Sequence, residues 1–137
     1  MRKAEFKTRL WASRAPSKNK PGANAWRIEQ PLIYWSAIMG EIVVPVGFET
    51  DFASVPRMPL AFLFFGDRIH APAVIHDYLC VHHWPQRKCT WAQAAEVFHE
   101  AMKADGVPWY QRAPMAAAVR LYGLTKWQDI KGARWND

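Results

Sequence analysis

The hydrophobic pattern of this chain changes period once, near Pro56, and that change leaves few architectures open. Upstream, apolar residues come in short runs bounded by Pro and Gly. Trp26-Arg27-Ile28-Glu29-Gln30 alternates apolar and polar, as a half-buried strand does. Pro31 breaks or edges that strand because it cannot donate to a ladder. Leu32-Ile33-Tyr34-Trp35 resumes extended structure, and Met39-Gly40 is a turn. Glu41-Ile42-Val43-Val44-Pro45-Val46 is the strongest strand signal in the chain. Residues 5–12 read as a first strand, and Ala15 to Ala23 as a loop rich in Pro, Ser, Asn and Gly.

Downstream the spacing becomes helical. Met58 to Phe65 is a short apolar stretch, a single helical turn or a buried loop, closed by Gly66-Asp67. Ala71 to His82 predicts a helix with Pro72 tolerated in its first turn, and Ala71, Ile75 and Leu79 share one face. Residues 83–88 connect it to the best-marked helix. There Thr90 is the N-cap and Gln93, three residues on, completes a capping box. Trp91, Ala94, Ala95, Phe98, Ala101 and Met102 form its buried stripe, and Gly106 stops it. A last helix runs from about Pro108 to Tyr122, kinked or restarted at Pro114, with Ala116-Ala117-Ala118 as a smooth packing face. Strands first and helices after predict an α+β domain, a small antiparallel sheet from the N-terminal half packed against about three C-terminal helices.

The 137 residues suffice for one domain with a real core, and half of them are apolar. No apolar run approaches the roughly 20 residues that span a bilayer, so no membrane span is expected. Met1 to Lys7 carries charge with no apolar stretch behind it, unlike a secretory signal. Two cysteines, Cys80 and Cys89, give no disulfide framework, which places synthesis in a reducing cytoplasm. The net charge of +6 is spread thinly rather than in a stripe. Nucleic-acid binding through the basic N-terminus, where Trp11 and Trp26 flank Lys18-Asn19-Lys20, is therefore expected to be weak.

Two polar insertions interrupt apolar surroundings. In the first, Thr50, Asp51 and Ser54 follow a strand. Asp and Ser there shape turns by accepting backbone N–H groups, and the competing reading makes Asp51 a metal ligand or general base. In the second, His76 and Asp77 are adjacent on a helix and so point about 100° apart, with at most one facing the centre of the sheet and the other lying toward its edge. A neutral His76 bonded to Asp51 across the core satisfies both groups. Asp51, His76, Asp77 and Ser54 are the catalytic candidates, and the first three are the metal candidates. Ser54 lacks the glycine-flanked elbow of a catalytic serine. Cys80, His82, His83 and Cys89 invite zinc, but Cys80-Val81-His82 is spaced too tightly for the usual pairs. Cys80 reads instead as a core residue, and His82-His83 as a helix end that favours cationic imidazole. No cofactor is expected.

The stretch Val44 to Arg57, the run Ala73-Val74-Ile75-His76-Asp77-Tyr78-Leu79, the helix Ala94 to Gly106 and Ala117 to Gly123 together resemble the family of domain of unknown function 1353. That family is found widely in tailed phages, prophages and bacteria and has no generally assigned activity. The resemblance covers roughly residues 25–123, leaving 1–24 as a basic segment with a loop and 124–137 as a tail. It places the family's polar signature on Thr50, Asp51, Ser54, Arg57, His76 and Asp77. Where the family usually has an Ala-Asp pair in its third helix, this chain has Ala94-Ala95, and Glu96 is turned about 100° away. The missing carboxylate favours a binding or structural role over catalysis. The resemblance thus implies a phage or prophage accessory protein, a virion or tail component with other virion proteins as partners, made in the host cytoplasm. Thr50, Arg57, Trp109, Trp127 and Trp135 are its candidate binding residues, since aromatic side chains anchor interfaces. The alternative is a metal-dependent hydrolase using Asp51, His76 and Asp77.

Overall fold

The computed structural model describes residues 2–18, 21–22, 24–50, 70–83, 86 and 88–122; within them, six short strands precede three helices. The strands are β1 (Glu5–Phe6), β2 (Ala12–Pro16), β3 (Asn24–Ile28), β4 (Leu32–Ser36), β5 (Gly40–Val44) and β6 (Glu49–Thr50). They sort into two antiparallel sheets ordered β1-β4-β5 and β2-β3-β6. Each successive pair of strands is one ribbon, and every ribbon contributes one strand to each sheet in the same order. The two sheets are thus one three-ribbon antiparallel sheet folded across its middle.

The sequence places that fold. Pro31 and Pro45 lie at two of the bends, where a residue without an N–H leaves no ladder bond to lose. At the bend of the first ribbon, Lys7 N–H donates to the Ile33 carbonyl at 2.8 Å, and Thr8 Oγ1 donates to the Pro31 carbonyl at 2.8 Å while accepting from Ile33 N–H at 2.9 Å. Gly47 turns the third ribbon at a φ of 91°, which disfavours any side chain; its N–H reaches the Ile28 carbonyl at 2.9 Å. One correction follows. The expected first strand over residues 5–12 is two pieces, because its ladder breaks at this bend, and extended structure persists to Pro16 through pairing with β3.

The helices are α1 (His70–Tyr78), continued by a π-helical turn (Leu79–His83), then α2 (Trp91–Ala104) and α3 (Trp109–Tyr122). Thr90 Oγ1 accepts from Gln93 N–H at 3.0 Å and Gln93 Oε1 accepts from Thr90 N–H at 2.9 Å, completing the capping box. Gly106, at a φ of 88°, closes α2: its N–H donates to the Lys103 carbonyl and Val107 N–H to that of Met102, the two bonds of a Schellman stop. Pro114 does not restart α3; it sits on the exposed face of one continuous helix. Packing on that helix runs through Met115 and Val119, with Ala117 exposed, because residues four apart share a face and three consecutive alanines do not.

One apolar cluster joins β3, β4 and β5 (Ile28, Leu32, Tyr34, Ile42, Val44) to Val74, Ile75 and Leu79 of the α1 segment and to Trp91, Ala94, Val97 and Ala101 of α2. A second joins Ala73 to Phe98 and Met102 of α2 and to Met115 and Val119 of α3. α1 is consequently covered on both sides. Across the main cluster, the buried Tyr34 hydroxyl donates to Glu100 Oε1 at 2.7 Å, and Ala37 N–H donates to Glu100 Oε2 at 3.1 Å. Burial and this carboxylate push the Tyr34 hydroxyl's pKa well up. None of the described helices is long and apolar enough to cross a membrane.

Candidate functional site

His76 lies on the second turn of α1 and is 0 % exposed. Its ring meets Phe98 at 5.3 Å and Trp91 edge-on at 6.1 Å, both from α2. Cys80 Sγ is 3.6 Å from His76 Nε2. Such a site solvates a cation poorly, and burial pushes the His76 pKa down to about 3. The imidazole is neutral at physiological pH. Asp77 is buried beside it at 6 % exposure. α2 and α3 cover the side of α1 that the sheet does not, so both members of the pair are buried. Burial pushes the Cys80 thiol's pKa up as well, with Asp77 and Cys89 adding to it.

The other insertion reaches this helix through an aromatic pair. Phe48, one residue past Gly47, packs edge-on against Tyr78 at 5.2 Å. Thr50 ends β6, pairs with Trp26 and is buried. Asp51, Ser54 and Arg57 lie outside the described residues, as do Trp127, Trp135 and the apolar stretch 58–65. Among the described residues, no group of three or more His, Cys, Asp or Glu is placed to hold a metal ion. The four-residue set Cys80, His82, His83 and Cys89 is therefore not assembled. Both cysteines are buried, whereas the two histidines face a partly open edge.

The basic N-terminal side chains Arg2, Lys3, Lys7, Arg9, Arg14 and Lys18 are exposed, and two of them lie over indole rings. Arg2 lies over Trp35 at 4.0 Å and Arg14 over Trp26 at 5.9 Å. Arg27 bonds Glu49 at 3.0 Å. Lys18 N–H and Arg27 lower the Glu49 pKa to about 2. A cavity of about 770 Å³ opens between Lys7 and Arg9 of the first ribbon and His70 at the start of α1, and Asp105 adds an opposite charge to its wall. Neither His76 nor Asp77 lines it.

The family model for a protein of unknown function, DUF1353, matches residues 26–119. The chain belongs to that family. No curated protein and no solved structure matches it. In this DUF1353 chain the matched region runs from β3 nearly to the end of α3, and so spans both the folded sheet and α1. Ala94 and Ala95, the positions where the resemblance leads one to look for a carboxylate, are buried among apolar side chains, and Glu96 is exposed.

Sequence reasoning overlooked the π-helical turn and what it does to the histidine doublet. His82 stacks on Tyr78 at 4.9 Å with 8° between ring planes, and its Nδ1 lies 3.1 Å from Nδ1 of His83. The expected cationic helix end is corrected at His83, where burial, then His82, then Lys88 lower the pKa. A His-His doublet after a helix whose apolar period ends at Leu79 was the available signal; the widened turn that aims both rings together has no marker in residue type.

Proposed function

We propose that this chain is a non-catalytic binding or structural protein, encoded by a phage or prophage and acting through its surface, with a place in the virion or its tail. The observation that carries the reading is the burial of His76. A general base must reach the proton it abstracts, whereas this imidazole is covered by Phe98 and Trp91 and held neutral by burial. The apolar Ala94-Ala95 wall supports the same conclusion. So does the surface. Trp109 and Tyr110, on the first turn of α3, are 69 % and 62 % exposed and pack edge-on against each other. Such residues anchor protein interfaces. The phage assignment rests on the distribution of the family that the chain resembles.

Mass spectrometry of purified particles tests it. The expected result is the chain at a stoichiometry comparable to other virion proteins, reduced in Trp109→Ala/Tyr110→Ala particles. Absence from particles removes the virion assignment. Hydrolase activity abolished by Asp51→Ala in a folded protein removes the non-catalytic one.

A further inference from the structure

We propose that His82 and His83 form a two-imidazole docking point for a divalent transition-metal ion, independent of the buried His76. The two Nδ1 atoms are 3.1 Å apart. With metal–nitrogen bonds of about 2.0–2.1 Å, that separation subtends about 98° at a shared metal, between octahedral and tetrahedral values. Imidazole is the ligand that Zn, Cu and Ni share.

The surroundings hold both rings for this task. The Tyr78 ring lies parallel to His82 and edge-on to His83 at 5.4 Å, so one aromatic face fixes two imidazole planes. The side-chain amide nitrogen of Gln86 lies 3.1 Å from His82 Nε2. For His82 to offer the lone pair of Nδ1 to a metal, Nε2 must carry the proton and the Gln86 amide must turn over so that its oxygen accepts that proton. A partner on the far ring nitrogen is how ligating histidines are oriented. The π-helical turn that brings the rings together is a feature frequent at functional sites. Lys88, which also acts on His83, opposes the charge of a cation, and no third acidic, thiol or imidazole ligand is placed nearby among the described residues. Water completes the coordination sphere, so the site holds its ion loosely and exchangeably.

The competing account is an Nδ1–H···Nδ1 hydrogen bond with no metal role. Titration of the untagged full chain with Ni(II) chloride, followed by calorimetry and by paramagnetic broadening in an assigned NMR spectrum, decides between them. One equivalent should saturate, with broadening centred on residues 78–86. His82→Ala and His83→Ala should each weaken binding by more than the roughly 10- to 100-fold that follows loss of an outer partner, and Gln86→Ala by about that range. His70→Ala should bind as the wild type does. No saturable binding, or broadening centred elsewhere in the wild-type chain, overturns the proposal even if a variant fails to fold; unchanged affinity in both histidine variants overturns it too.

Discussion

His76 and the His82-His83 pair sit on one continuous helical segment, yet the protein treats their imidazoles in opposite ways. His76 is enclosed where α1 passes beneath α2, with aromatic rings and a thiol as neighbours. One and a half turns later α1 has cleared that cover and loosened into a π-helical turn, and the imidazoles lie at a partly open edge with nitrogen facing nitrogen. The difference teaches that residue type does not mark a reactive histidine. Depth beneath the neighbouring helix and the local pitch of the backbone do.

Breaking the seal should have the largest effect. Phe98→Ala removes the ring nearest His76 and should cost about 3–5 kcal/mol by urea denaturation. In the variant, the NMR-titrated pKa of His76 should move from about 3 back toward 6.5 as water enters. A smaller effect comes from acid alone. Below pH 6.5 the unfolded chain protonates at position 76 while the folded chain refuses the proton until about pH 3, so this residue's contribution is complete above 6.5 and lost as pH falls between the two values. Between pH 6.5 and 5 the loss should be about 2 kcal/mol, read as the difference between wild type and His76→Leu. If the two proteins show parallel pH profiles, the imidazole is not sealed.

The open end should respond more gently. Tyr78→Leu keeps apolar bulk but loses the face shared by His82 and His83, and should cost about 0.5–1.5 kcal/mol in thermal or urea unfolding. His82→Ala should change stability by no more than about 0.5 kcal/mol. A loss of several kcal/mol there would mean that the doublet is core, and the contrast with His76 would disappear.

Much of this was legible in the sequence. Thr90, Gln93 and Gly106 announce both ends of α2 because caps are local chemistry, and the extended run from Leu32 to Trp35 reappears in β4. The folding of the sheet was less legible. Pro31 and Pro45 mark where ladders lapse, but the side on which a ribbon re-pairs depends on partners far along the chain. At the site, the polar doublet His76-Asp77 was identifiable as an anomaly. Its depth was not, since that depends on α2 and α3 covering the side of α1 away from the sheet, and both helices lie further along the chain.

The bond between Tyr34 and Glu100 joins residues 66 apart. During synthesis the ribbons therefore emerge with their inner face bare, and the hydroxyl on β4 finds its acceptor only after most of α2 has left the ribosome. Until then the nascent sheet exposes Leu32, Ile42 and Val44 to any chaperone or aggregating neighbour.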